Sequence, residues 1–195
     1  MRATPRDSMP RSSNWTIVVP VKGSAASKSR FGDSPDRLEL ADAMALDTIE
    51  AAAQVAPVLV IGGPGLSPAF AELATVMLEQ PGDGLNGAIA RALATLDGPA
   101  AVLLADLPAL RPEELEPALL ENVMVPDADG TGTSLITGRI PAFGVGSRAA
   151  HRALGYRELD LPVTSGLRLD VDSPAALAAI PRERLGTRTA RLVRS

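Results

Sequence analysis

Short apolar runs alternate with longer stretches of helical periodicity along the chain, and this alternation predicts an α/β fold. The first run, Trp15–Val21, is rich in β-branched residues and reads as a buried strand. Over Asp36–Ala53, Leu38, Ala41, Ala45, Leu46 and Ile49 share one helix face, and Ser34-Pro35 supplies the start. Pro57–Gly62 is a second buried strand, closed by a glycine-rich turn at Gly62–Gly65. A short helix at Ser67–Leu73 and a strand at Thr75–Glu79 follow. Leu85, Ile89, Leu93 and Leu96 mark the next helix. Ala100–Ala105 is the most apolar strand and is expected at the centre of the sheet.

Beyond it the pattern predicts a helix over Pro112–Leu120 and strands near Val123–Val125 and at Ser134–Ile136. A helix at Ser147–Leu154, closed by Gly155, comes next. A short strand at Leu167–Val171 then leads into a helix from Pro174 to Ile180 with Ser173 as its N-cap. These elements assemble into a single α/β domain with a mostly parallel central sheet flanked by helices. The loopier last third suggests a small antiparallel ribbon over that sheet. The domain is expected over residues 15–181. A polar, disordered leader at 1–14 is expected before it, and an Arg-bearing tail or helix at 182–195 after it.

Composition narrows the chemistry. The 195 residues are enough for a sizeable core, and with 3% aromatic residues that core is aliphatic. A formal net charge of −4 without a basic stripe argues against nucleic acid as a partner. The absence of cysteine excludes disulfides, thiolate metal sites and a thiol nucleophile, and a single histidine excludes a multi-His centre within one chain. A metal would therefore be held by carboxylates, which points to a hard cation such as Mg²⁺. No apolar run approaches the roughly 20 residues of a membrane span. Met1–Asn14 lacks the apolar core of a signal peptide, so no membrane partner and a cytoplasmic location are expected.

Both lysines of the chain, Lys22 and Lys28, fall in the small-residue loop after the first strand, with Arg30 close behind. Two ammonium groups and open backbone N–H groups at a strand's carboxyl end suit a polyphosphate. Asp106 ends the central strand, with Pro108 stopping pairing beyond it. Asp170 and Asp172 lie two apart on an extended run, so both face the same way. Such a pair repels itself unless a cation or a set of hydrogen bonds holds it, and with Asp106 it would make an all-oxygen Mg²⁺ site. Gly82–Gly87 matches G-x-G-x-x-G, but it follows the third strand. It reads better as backbone for close approach to a base or ribose than as a dinucleotide fingerprint. Gly130–Thr133 and Phe143–Ser147 offer hydroxyls and open N–H groups for a small carboxylate or phosphate. His151 is given no ligand role, a lone histidine being more often structural or solvent-facing. Arg168 is expected as a salt-bridge partner or a substrate clamp. Three readings stay open on these residues alone: a nucleotidyltransferase, a non-catalytic nucleotide-binding regulator, and a dehydrogenase built on the glycine motif.

Six stretches, in order, resemble one family: Val19–Phe31, Gly82–Ile89, Leu103–Leu110, Asp129–Ser134, Phe143–His151 and Leu167–Pro174. Together they resemble the 2-phospholactate or phosphoenolpyruvate guanylyltransferases of coenzyme F-420 biosynthesis. The resemblance implies a nucleotidyltransferase sheet of the GT-A type. It also implies transfer of GMP from GTP to a small phospho-acid, with pyrophosphate released and with a downstream transferase consuming the product. Carried over, it makes Asp106, Asp170 and Asp172 the Mg²⁺ ligands, and Lys22, Lys28 and Asp106 the catalytic groups. Lys22, Gly23, Lys28, Arg30, Gly84, Leu85, Asn86 and Asp106 become the GTP contacts. Thr131, Thr133, Gly144 and Ser147 become the grip on the phospho-acid. Phosphoenolpyruvate is the preferred acid. The chain departs from the family pattern at Pro126–Thr133, where a basic residue is expected before the glycine.

Overall fold

A computed structural model describes residues 14–21, 36–78, 82 and 84–193. The expectations placed on Lys22, Gly23, Lys28, Arg30 and residues 1–13 lie outside them. The apolar runs form seven strands: β1 Thr16–Val21, β2 Val58–Gly62, β3 Thr75–Leu78, β4 Ala100–Leu103, β5 Val123–Pro126, β6 Thr133–Thr137 and β7 Arg157–Glu158. They make one sheet in the order β3-β2-β1-β4-β6-β5-β7, so β4 is its middle strand and all four of its residues are buried. The β1, β2, β3 and β4 strands are parallel, β6 runs antiparallel to β4 and β5, and β7 is parallel to β5. The antiparallel element is thus built into the sheet, not laid over it. The β6 strand reaches the place beside β4 by a short return from β5, and a hairpin-like return can only pair antiparallel.

Pleating divides the core. Ile17, Val19, Ala101 and Leu103 face α1 (Asp36–Ala53), while Val18, Leu59, Val102 and Ile136 face α3 (Gly84–Ala94). The expected helix over 112–120 is a single α-turn, α4 Pro112–Leu115, followed by a 3-10 turn Glu116–Ala118. Pro117 explains the break, since it lacks an N–H and its ring crowds the carbonyl four residues back. The short helices are α2 Ala69–Leu73, α5 Ser147–Ala153, α6 Pro174–Ala179 and α7 Thr187–Leu192. Ser173 Oγ caps α6 by accepting from the Ala176 N–H at 3.2 Å, and Pro174 opens it. None of the helices, among the described residues, is long and apolar enough to cross a membrane.

Pro20 decides where the sheet opens. The Ile17 N–H points toward β2 and the Thr16 N–H toward β4, so position 20 would also donate toward β4. Proline has no N–H to give, and the β1–β4 pairing ends at Val18 and Val102, while β1 stays paired to β2 through Val21. The two strands part at their carboxyl ends. The chain goes from β1 to β2 on one side and from β4 to β5 on the other, and the gap between two strands that diverge in this way is the crevice where open α/β sheets bind ligands.

Candidate functional site

That crevice is a cleft of about 420 Å³. Its walls include Pro20 and Val21 of β1, Asp42 and Met44 of α1, Leu85 of α3, and the segments that carry Asp106, Thr133, Gly144, Ser147, Asp170 and Asp172. Of the expected site residues, these last six and Leu85 converge on one space. Gly84, Asn86 and Thr131 do not line it among the described residues.

Asp106 is set by its neighbours. Thr48 Oγ1, on the buried face of α1, accepts from the Leu107 N–H at 3.2 Å and lies 3.2 Å from the Ala105 carbonyl, so it holds both peptides around Asp106. The Val171 N–H donates to the Asp106 carbonyl at 2.9 Å and draws residues 167–171 across the end of β4. This stretch is not the expected strand. It turns on itself through bonds from the Arg168 N–H to the Ser165 carbonyl and from the Asp170 N–H to the Arg168 carbonyl. Both flanks of β4 are already occupied by β1 and β6, so no sheet position beside it is open to the stretch. Ser134 Oγ of β6 donates to the Leu167 carbonyl and anchors its start.

Asp170 is nevertheless delivered to Asp106. Its pKa is pushed up to about 6, first by burial and next by the charge of Asp106, with Asp127 and Asp172 adding to it; the Ala128 N–H, donating at 3.3 Å, works the other way. Burial also raises the carboxyl of Asp42. Acidic groups gathered in this way suit a divalent cation. No group of three or more His, Cys, Asp or Glu, among the described residues, stands arranged as a cage for a metal. Mg²⁺ needs no such cage, since it takes one or two carboxylates and completes its shell with waters and substrate phosphates. The oxygen-only donor set fits that ion.

Beside Asp170, Asp127 shapes the loop between β5 and β6. Its Oδ1 accepts from the Thr131 N–H at 3.0 Å and its Oδ2 from the Gly132 N–H at 2.7 Å. A Cβ at Gly132 would collide with that carboxylate, so the position requires glycine. Arg168, expected as a salt-bridge partner or a substrate clamp, forms no ion pair among the described residues and does not line the cleft. It donates to the Leu161 carbonyl at 2.9 Å and the Asp127 carbonyl at 3.1 Å. Where the family pattern has a basic residue, the cation present is Arg148. It donates to the Gly130 carbonyl at 2.8 Å and pairs with Glu158 through two nitrogens at 3.0 and 2.6 Å, and it does not line the cleft.

The glycine loop 144–146 is pinned just ahead of its first residue. Asn86 Oδ1 accepts from the Phe143 N–H at 2.8 Å and its Nδ2 donates to the Phe143 carbonyl at 2.9 Å. Its amide is engaged with the loop, so its visible work is different from the guanosine contact expected of it. The Ala142 N–H donates to His151 Nε2 at 2.9 Å, and His151 Nδ1 lies 3.0 Å from Thr133 Oγ1. Gly144 has φ 137°, a conformation that favours glycine, and it lines the cleft with nothing within 4 Å of the place a side chain would start.

Sequence reasoning missed Thr48, Asp127 and the structural work of Asn86 and His151. Thr48 had a signal, a hydroxyl on the apolar face of a helix. Asp127 had one too, an Asp four and five residues before open N–H groups in a glycine-rich loop.

Comparison with known proteins agrees with the sheet. The chain is 42% identical over 201 residues to phosphoenolpyruvate guanylyltransferase of Streptomyces coelicolor, covering 90% of this chain and 94% of that protein. Among solved structures, one from Desulfovibrio desulfuricans G20 assigned to a nucleotide-diphospho-sugar transferase superposes with a TM-score of 0.66. It is 20% identical and covers 91% of this chain and 93% of its own. The manganese complex of Rv0371c from Mycobacterium tuberculosis H37Rv superposes with a TM-score of 0.53 at 18% identity, covering 88% and 97%. At these identities the two structures establish a shared fold and nothing finer. The family model described as guanylyl transferase CofC like matches residues 15–148, and the chain belongs to that family.

Proposed function

We propose that the protein transfers GMP from GTP to phosphoenolpyruvate in coenzyme F-420 biosynthesis, with 2-phospholactate as the alternative acid. The observation that carries this reading is the cleft itself: it brings carboxylates together with hydroxyls and glycine backbone at the point where β1 and β4 part. The name of the Streptomyces coelicolor relative supports phosphoenolpyruvate as the acid.

In the reaction a phosphate oxygen of the acid attacks the α-phosphorus of GTP. A new P–O–P bond forms, the bond between the α-phosphorus and its bridging oxygen breaks, and pyrophosphate leaves with the electron pair. A phosphomonoester has its second pKa near ~6, so it is largely dianionic at pH 7 and needs no general base. The chain has no cysteine, and its one histidine is buried away from this role. Asp106, Asp170 and Asp172 would hold Mg²⁺, which neutralises developing charge on the phosphates. Lys22, Lys28 and Arg30, which follow β1 in the sequence, are proposed to take the β- and γ-phosphates, with Gly23 supplying backbone beside them. Gly84 and Leu85 are proposed to contact the guanosine. Thr133, Gly144 and Ser147, with Thr131 at the rim, are proposed to hold the acid.

The test is pyrophosphate release with GTP and Mg²⁺, comparing phosphoenolpyruvate, 2-phospholactate, 3-phosphoglycerate and no acid, with a product-consuming transferase present to relieve slow release. Release that depends on one acid supports the reading and names the acid. GTP binding without release under any acid overturns it in favour of a nucleotide-binding regulator.

A further inference from the structure

His151 is wholly buried one turn into α5, yet the reaction does not use it directly. Phe143 and Tyr156 meet its ring edge-on, with centroids 5.0 and 5.5 Å away. Both of its nitrogens are occupied. The Ala142 amide is a donor under all conditions, so Nε2, 2.9 Å away, must accept. A neutral imidazole accepts at one nitrogen and donates at the other, so the proton sits on Nδ1. Burial lowers the pKa of this histidine, which keeps it neutral; a backbone contact from Ser147 works weakly the other way.

The consequence falls on Thr133. Its Oγ1 lies 3.0 Å from Nδ1 and must accept there, because a protonated Nδ1 cannot. Among the described residues, no other side-chain hydrogen bond of Thr133 exists to take its own proton. Thr133 is 2% exposed, and it borders the cleft beside Gly132, Gly144 and Ser147. A hydroxyl carries one proton and two lone pairs; with one lone pair taken up by Nδ1–H, the proton of Thr133 is not spent on the imidazole and is left for an acceptor in the cleft.

We propose that His151 is a positioning residue that keeps the proton of Thr133 free to donate to an anionic oxygen of the acceptor acid. That the proton is free follows from the geometry, while the identity of the acid rests on the guanylyltransferase reading above. The same imidazole holds Ala142, so one side chain sets both the hydroxyl and the loop ahead of Gly144.

Two measurements test this separately from the activity. His151 is the only histidine, so nitrogen NMR of untagged, ¹⁵N-histidine-labelled protein shows a single imidazole. At pH 7.5 Nδ1 is expected to carry the proton and Nε2 to be bare, in the wild type and in Thr133→Val alike. The opposite tautomer, or a mixture, overturns the proposal even if the enzyme is inactive. In the kinetic arm, Thr133→Val raises the KM for phosphoenolpyruvate roughly tenfold, the loss of one hydrogen bond to a charged group, and Thr133→Ser restores it. His151→Gln, which keeps an acceptor near Nε2 and has no donor near Nδ1, raises that KM in the same direction. The double variant is no worse than Thr133→Val, and the KM for GTP stays within about twofold of wild type throughout. Additive losses, or equal rises in both KM values, would show that the histidine only packs. If no acid supports turnover in the wild type, the functional reading fails, and the tautomer alone decides the inference.

Discussion

Replacing Asn86 by alanine separates two roles that the position could have. In the fold its amide makes two bonds to the backbone of Phe143, 2.8 Å as acceptor and 2.9 Å as donor. Each neutral bond is worth about 1 kcal/mol net when water can replace it, and Asn86 is only half-buried, so Asn86→Ala should cost about 2 kcal/mol. For a chain of this size that is a fall of roughly 4–8 °C in Tm. The loop released is the one that presents Gly144 to the cleft, so the KM for the acid should rise more than the KM for GTP. Asn86→Asp keeps the acceptor but sets a carboxylate against the Phe143 carbonyl, and should be no better than alanine. Thermal unfolding and initial-rate kinetics on both variants decide the matter. An unchanged Tm together with a rise confined to the KM for GTP would refute the clamp and return Asn86 to the guanosine contact that the sequence suggested.

Asp47 of α1 caps α7 from outside: its carboxylate accepts from the Thr189 N–H at 2.8 Å and the Arg188 N–H at 3.1 Å, with its side chain 2% exposed. Asp47→Ala should therefore lose about 3 kcal/mol in urea unfolding, two charged hydrogen bonds at the low end of their range, without altering either KM. Arg188→Ala removes only half-exposed ion pairs and should cost less than about 1 kcal/mol by the same measurement. Because burial lowers the pKa of His151 below its unfolded value of 6.5, the unfolded chain binds the proton more readily. The histidine's share of stability is complete above that pH and is lost as pH falls through the folded pKa. Stability measured downward from pH 7.5 should decline more steeply in the wild type than in His151→Gln, and equal slopes would contradict this. Chelation with EDTA should abolish pyrophosphate release and added Mg²⁺ should restore it, while Asp106→Asn should lower the restored rate at least roughly a hundredfold, the scale of several kcal/mol of lost charge stabilisation.

The sheet was legible because its strands are short apolar runs of the right length, and β4 could be placed at the centre because none of its residues is polar. The partners of that sheet were less legible. Nothing in Thr133–Thr137 says that it pairs antiparallel between β4 and β5, because pairing depends on where the chain returns and not on the pattern within the strand. Leu167–Val171 has the composition of a strand and is not one, since the places beside β4 are already filled. In the site, residues that carry charge were readable from their type and position: Asp106 at a strand end, Asp170 and Asp172 on one stretch. Residues that hold others in place were not. Thr48, Asp127 and His151 act on groups between 4 and 59 positions away in sequence, and a hydroxyl, a loop carboxylate or a lone imidazole looks the same whether or not it has such a partner.

The most direct test of the central claim follows the phosphorus atoms. Two samples of GTP, one labelled with radioactive phosphorus at the α position and one at the γ position, are incubated with the protein, Mg²⁺ and phosphoenolpyruvate. Attack at the α-phosphorus puts the α label into a conjugate that requires the acid for its formation, and the γ label into pyrophosphate. An α label found only in GMP or GDP, or a γ label released as free phosphate, would mean that the cleft hydrolyses the nucleotide and does not join it to the acid.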